Sequence, residues 1–152
     1  MSRWLRGSWN KTSLGQASLP SNKKNIIAIV DDDKDLLDLY SEYLTFNGFK
    51  TITFEHPEHL LEYIQTNSTP FSLIITDYRM PKIDGIDLIK NIRKFDNYTN
   101  GKTKFILLSA FIKEDLVYKN QVLDGKLIDK ILEKPLSLVQ LKTAIIEALN
   151  NL

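Results

Sequence analysis

The chain has 152 residues, 43% of them hydrophobic and 26% charged, with no Cys and a net charge of +1. That is one domain's length with an ordinary globular composition, large enough to bury its own core. It excludes disulfides, thiolate catalysis and Cys-based zinc sites, and no apolar run approaches the roughly 18 residues of a membrane helix.

Residues 1–24 carry Arg3, Arg6, Lys11, Lys23 and Lys24 and no acid, a charge of +5, so the remainder carries −4. A mildly acidic body argues against direct nucleic-acid binding. The segment is rich in Ser, Asn, Gly and Lys without helical or strand periodicity, and it lacks the apolar core of a secretory signal. It is expected to be a flexible N-terminal extension, with residues 25–152 forming the folded domain. Trp4, Leu5 and Trp9 could dock on a partner or membrane surface.

From Asn25 onward, strand and helix patterns alternate five times. Ile26–Val30 is a short apolar strand ending in Asp31-Asp32-Asp33. Leu36, Leu37, Leu39, Tyr40, Tyr43 and Leu44 follow helical spacing, and Asn47-Gly48 forms the stop. Phe49–Phe54 alternates as a second strand, and Pro57 with Glu58 opens a second helix. Phe71–Asp77 contains a third strand, apolar and β-branched as if buried on both faces. A loop punctuated by Pro81 and Gly85 follows. Asp84 caps a helix expected to run through Phe95, with Ile86, Leu88, Ile89 and Ile92 apolar. Thr103–Ser109 reads as strand four, Lys113–Leu123 as a weaker helix stopped by Gly125, and Leu127–Leu132 as strand five. Ser137 and Gln140 make a capping box for the last helix, which buries Leu138, Leu141, Ile145 and Leu149.

Such βα alternation predicts an α/β fold, a doubly wound five-stranded parallel sheet of order 2-1-3-4-5. All parallel strands present their carboxyl ends at one edge. Asp31 and Asp32 end strand one, Asp77 strand three, Ser109 strand four and Lys134 strand five. An Asp at a strand end is commonly a turn residue. Three carboxylates, a hydroxyl and an ammonium gathered from four strands point instead to a site. Crowded carboxylates repel, and all-oxygen ligation favours Mg²⁺ shared with a phosphate. Asp77 could attack phosphorus to form an acyl phosphate, with Lys134 and Ser109 neutralising and orienting the phosphoryl oxygens. Ala110 would leave room for that group.

Val30-Asp31-Asp32, Asp77 followed by Met80-Pro81 and Gly85, Leu108-Ser109-Ala110, and Lys134-Pro135 together resemble the receiver domain of two-component response regulators, over residues from about 25 to 151. The resemblance implies a flavodoxin-like receiver fold with Asp77 as phosphoacceptor. It implies Mg²⁺ bound by Asp32, Asp77 and the backbone carbonyl of Arg79, with Asp31 acting through a water. It also implies phosphoryl contact by Lys134, a cis Lys134–Pro135 bond and a switch hydroxyl at Ser109. Arg79 and Phe111 would flank the acyl phosphate and tune its lifetime. The family often has an aromatic three residues before the strand-five Lys, where this chain has Ile131. The aromatic half of the usual relay is therefore expected to be absent or replaced, with Phe111 and Tyr118 as candidate moving aromatics.

The resulting expectation is a stand-alone, cytoplasmic receiver. It would accept a phosphoryl group from a histidine kinase or phosphotransfer protein, assisting its own phosphorylation and dephosphorylation without being an enzyme. It would signal to an output protein through the face built from the fourth helix, fifth strand and last helix. One alternative is a receiver-like binding module that acts without phosphorylation, which loss of Asp77 or Lys134 would have favoured. The other is an aspartate-nucleophile phosphohydrolase using Asp31-x-Asp33. That class looks for Thr or Val two residues after the second Asp, where Asp35 stands here, and normally needs a cap or further strands.

Overall fold

A computed structural model describes residues 25–110 and 127–150. Within them run β1 (Ile26–Val30), α1 (Lys34–Phe46), β2 (Lys50–Phe54), α2 (Pro57–Thr66), β3 (Leu73–Asp77) and α3 (Gly85–Ile92). A 3₁₀ turn (Asp96–Tyr98), β4 (Lys104–Ser109), β5 (Lys130–Glu133) and α4 (Leu138–Asn150) follow. The strands form one sheet of order β2-β1-β3-β4-β5, parallel throughout, as expected.

The apolar strands are two-sided because successive side chains point to opposite faces. Ala28, Val30, Ile74, Phe105 and Leu107 face one layer, with Leu60 and Ile64 of α2 and Leu88, Ile89 and Ile92 of α3. Ile27, Ile29, Leu73, Ile75, Ile106 and Leu108 face the other, with Leu37, Tyr40 and Leu44 of α1 and Leu141, Ile145 and Leu149 of α4. Burying both faces of a continuous apolar sheet removes the most apolar surface from water, and it fixes the register on which the site depends. Val30 pairs with Thr76 and Asp77 with Leu108, so the ends of β1, β3 and β4 stand level.

Several boundaries differ from the sequence expectation. The helix expected through Phe95 ends at Ile92, where Lys94 and Phe95 tighten onto the carbonyls of Asn91 and Ile92. The buried Tyr98 then accepts a hydrogen bond from the Phe71 amide at 3.1 Å, a tertiary contact that turns the chain. Strand two starts at Lys50 because the Phe49 amide still caps α1 through Leu44 O, after Gly48 turns at φ 88°. Strand four starts at Lys104, while the Thr103 hydroxyl bonds to Phe71 O instead.

Strand five is displaced most. It was expected over Leu127–Leu132 and occupies Lys130–Glu133. Leu127 and Ile128 are apolar but pack beside the sheet, where Arg93 Nη2 donates to Leu127 O at 3.0 Å. Lys134 therefore follows β5 rather than ending it. The capping box of α4 forms as read, with the Ser137 amide donating to Gln140 Oε1 and the Gln140 amide to Ser137 Oγ. The helix expected over Lys113–Leu123 lies outside the described residues, as do Phe111, Tyr118 and residues 1–24.

Candidate functional site

The site is assembled at the carboxyl edge of the sheet. Asp31, one residue past β1, is 1% exposed. Its Oδ1 accepts the Asp33 amide at 2.9 Å, and its Oδ2 accepts Lys134 Nζ at 2.8 Å. Asp77 closes β3 at 9% exposure and lies 3.1 Å from the same ammonium. Asp32 is exposed and supplies the third carboxylate. Oxygens of Asp31, Asp32 and Asp77 lie within 4.8 Å of one another, and no other group of three potential metal-ligating side chains is this close among the described residues.

The electrostatics follow from this crowding. Asp77 is pushed up to about 6, first by burial and next by the Asp31 charge, with Lys134 opposing and Asp32 adding to the rise. Burial pulls Lys134 down, but its hydrogen bond and charge interaction with Asp31, together with Asp77, outweigh that and raise it. One ammonium thus neutralises part of a site with three acids. The donor set is all oxygen, dense in negative charge and open to water at Asp32, which fits a hard divalent cation.

Local structure holds these groups in place. The Lys134 amide donates to Ser109 O at 2.8 Å, latching the residue after β5 onto the end of β4. The Lys134–Pro135 bond is cis, as the resemblance implied. Ser109 is buried at 2% exposure on the strand beside Asp77, and Ala110 after it is exposed. Arg79 is exposed on the loop two residues beyond Asp77. On that loop Met80 and Ile83 pack into the α2–α3 layer, and the Gly85 amide donates to Tyr78 O at 2.7 Å. Ile131 packs in the same layer, an aliphatic residue where the family often has an aromatic one.

Two roles had not been read from the sequence. Asp33, rather than Asp32, caps α1, accepting the amides of Asp35 and Leu36 at 3.1 and 3.2 Å. The signal was its place immediately before the first helical residue. Tyr40 is 3% exposed on the buried stripe of α1, and its hydroxyl is raised first by burial, with Lys134 opposing and the Asp31 and Asp77 charges adding to the rise. Its spacing marked it only as core.

The response regulator receiver domain profile matches residues 27–146. The chain belongs to this family. The receiver is 34% identical over 119 residues to a probable chemotaxis protein CheY of Rhizobium etli, an alignment covering 78% of this chain and 88% of that one. It spans only 30% and 34% of two longer transcriptional regulators that it also matches. Among solved structures, a receiver domain protein from Clostridium thermocellum superposes with a TM-score of 0.69 at 26% identity, covering 84% of the receiver and 95% of that chain. The response regulator TrrA of Thermotoga maritima, in complex with Mg²⁺ and beryllofluoride, superposes with a TM-score of 0.64 at 26% identity, covering 82% and 98%. No helix among the receiver's described residues is long and apolar enough to cross a membrane.

Proposed function

We propose that Asp77 is the phosphoacceptor of a Mg²⁺-dependent phosphorelay. The observation that carries this is Lys134 Nζ standing 2.8 Å from Asp31 and 3.1 Å from Asp77, beside an exposed third carboxylate. Asp32, Asp77 and the Arg79 carbonyl would hold Mg²⁺ directly, and Asp31 through a water. When bound, the cation supplies charge neutralisation for the phosphoryl oxygens.

In the transfer, a carboxylate oxygen of Asp77 attacks the phosphorus of a phosphohistidine on a histidine kinase or phosphotransfer protein. The new P–O bond forms as the P–N bond breaks, and the imidazole leaves with the electron pair. Lys134 stabilises charge on the transferred group, and the Ser109 hydroxyl donates a hydrogen bond to a phosphoryl oxygen as the switch. Hydrolysis reverses the modification: water attacks phosphorus and the Asp77 carboxylate is regenerated with release of inorganic phosphate. Arg79 flanks the acyl phosphate and tunes that rate; Phe111, given the same part by the family resemblance, lies outside the described residues. The added charge of roughly −1.5 to −2 then shifts the face containing β5 and α4 towards an output protein.

This reading places the receiver in the cytoplasm, where its kinase would meet it. It takes residues 25–152 as the folding unit and 1–24 as an appendage, in line with the extent of the family match. Deleting 1–24 is expected to leave the thermal midpoint nearly unchanged, and a large drop would overturn that division. The phosphohydrolase reading loses its second acid, because the Asp33 carboxylate is engaged in capping α1.

Incubation with Mg²⁺ and acetyl phosphate, followed by mass spectrometry, tests the central assignment. A hydroxylamine-labile phosphoryl adduct on Asp77 is expected, absent without Mg²⁺. An Asp77→Asn protein that gained the adduct as fast as the parent would overturn it.

A further inference from the structure

Asn-Gly occurs twice in the chain, at Asn47-Gly48 and at Asn100-Gly101. The pair is chemically labile because glycine has no side chain to keep its amide nitrogen away from the preceding carboxamide. Local sequence ranks the two positions alike, and the fold separates them. Asn47 is the C-cap residue of α1, with its reacting groups engaged. Its Nδ2 donates to Tyr43 O at 2.8 Å, and its Oδ1 accepts Lys142 Nζ of α4 at 2.9 Å. The Gly48 amide donates to Thr45 O at 3.0 Å, so losing its proton would cost that bond. Two helices thus hold the carboxamide, and the nitrogen that would attack it is occupied.

Asn100 stands in the short turn that leads from the 3₁₀ turn to β4, and both it and Gly101 are exposed. Gly101 has φ 75°, and a Cβ there would meet no atom within 4 Å. Among the described residues the Gly101 amide donates to no carbonyl, and Asn100 Nδ2 makes no hydrogen bond. Asn100 Oδ1 accepts the Lys102 amide at 3.0 Å. That donor sits on the oxygen that gains negative charge when the carboxamide carbon is attacked. The turn is pinned on either side, by the Tyr98 hydroxyl at the Phe71 amide and by the Thr103 hydroxyl at Phe71 O. A change at Asn100 therefore leaves both anchors in place.

We propose that Asn100-Gly101 is a covalent modification site of the native receiver, where Asn100 deamidates to isoaspartate or aspartate, and that the fold shields Asn47-Gly48 from the same reaction. The Gly101 nitrogen gives up its proton to solvent base and attacks Asn100 Cγ. A C–N bond closes a succinimide ring as the bond from Cγ to Nδ2 breaks and ammonia leaves. Water then opens the ring. Attack at the main-chain carbonyl yields isoaspartate, and attack at the former side-chain carbonyl yields aspartate. The sum is one water consumed and one ammonia released, with no redox partner. The product places a negative charge next to Lys102, and isoaspartate also routes the main chain through the former side chain. The site lies before β4, at the edge of the parallel sheet opposite Asp77.

Incubating the full chain at mildly alkaline pH, natively and in guanidinium, and mapping its peptides by mass spectrometry tests this. Each deamidation adds one mass unit, and isoaspartate is counted by methyl transfer from S-adenosylmethionine with an isoaspartyl methyltransferase as the probe. In the native chain Asn100 should react at least tenfold faster than Asn47. In guanidinium the two rates should come within about threefold of each other, because both dipeptides then see the same solvent. Gly101→Ala should slow the reaction at Asn100 at least tenfold in guanidinium as well, where a strained turn plays no part. Equal native rates at the two positions, or a tenfold difference that persists in guanidinium, would overturn the proposal. So would a native chain that leaves Asn100 intact while the unfolded chain reacts.

Discussion

Lys134 and Asp77 form an ion pair of 3.1 Å that joins the residue after β5 to the end of β3, across the end of β4. The same ammonium reaches Asp31 at 2.8 Å, and its own amide is tied to Ser109 O. One side chain thus links three strands at the edge where a phosphoryl group would arrive. In the absence of a cation it is the nearest compensation for the three acids.

Lys134→Ala should therefore destabilise the receiver. Removing one partner of a buried pair costs about 3–5 kcal/mol. Lys134 remains partly open to water, with 17% of its side chain exposed, so about 2–3 kcal/mol is expected. Mg²⁺ should restore much of that loss by neutralising Asp31 and Asp77. Denaturant melts with and without Mg²⁺ measure both effects, and an equal deficit in the two conditions would separate Lys134 from the carboxylate cluster.

Asp77 makes stability depend on pH. Its native value of about 6 stands above the ordinary 3.8. Rising pH deprotonates the unfolded chain first, so this group's contribution is fully present below pH 3.8, falls between 3.8 and 6, and is lost above that. Each unit corresponds to about 1.4 kcal/mol, reduced here by solvent screening. Asp77→Asn should thus raise metal-free stability by about 1–2 kcal/mol at pH 7.5 and by almost nothing at pH 3.5. A variant less stable than the parent at pH 7.5 would contradict the raised value.

The extent to which the sequence disclosed this site varies with the kind of signal. β1, β3 and β4 were legible because strands buried on both faces are near-continuous apolar runs ending abruptly in polar residues. β5 was not, since Leu127 and Ile128 look like strand residues yet pack beside the sheet under Arg93. The early end of α3 had no local mark either, because no Gly or Pro stands between Asn91 and Phe95. The Tyr98–Phe71 bond that redirects the chain joins residues far apart in sequence. Asp31, Asp32, Asp77, Ser109 and Lys134 followed from where parallel strands end, whereas Arg79 and the switch role of Ser109 came from family likeness.

Asp32 and Asp33, adjacent in sequence, should separate cleanly in function. Asp33→Ala removes the N-cap of α1 and should cost about 1 kcal/mol, with Mg²⁺ affinity nearly unchanged. Asp32→Ala removes an exposed charge from a crowded acidic site, so stability should change by less than about 0.5 kcal/mol. Its Mg²⁺ affinity should fall at least tenfold. Paired melts and metal titrations decide this, and a parent-like Mg²⁺ affinity in Asp32→Ala would remove Asp32 from the ligand set.

Gly85 supplies the last prediction, because it is small rather than because it is flexible. A Cβ there would collide with the Asp77 carbonyl oxygen, lie 2.8 Å from Leu107 Cδ1 and 3.1 Å from Tyr78 Cα. Two of those neighbours are backbone and cannot swing aside. The Gly85 amide also holds Tyr78 O at 2.7 Å, so the first residue of α3 is seated on the strand end that carries Asp77. Alanine gains up to about 1 kcal/mol in helix propensity, less at a first helical position, while overpacking a tight contact costs about 1–3 kcal/mol. Gly85→Ala should therefore lose about 1–2 kcal/mol. Its relief must come from moving α3 or the Asp77 backbone, so acyl phosphate should also form more slowly with acetyl phosphate under conditions where the protein is fully folded. A loss of stability with an unchanged rate would mean that α3 moves and Asp77 stays. A more stable variant with an unchanged rate would show that the contact between Gly85 and Asp77 does not position the Asp77 carboxylate at all.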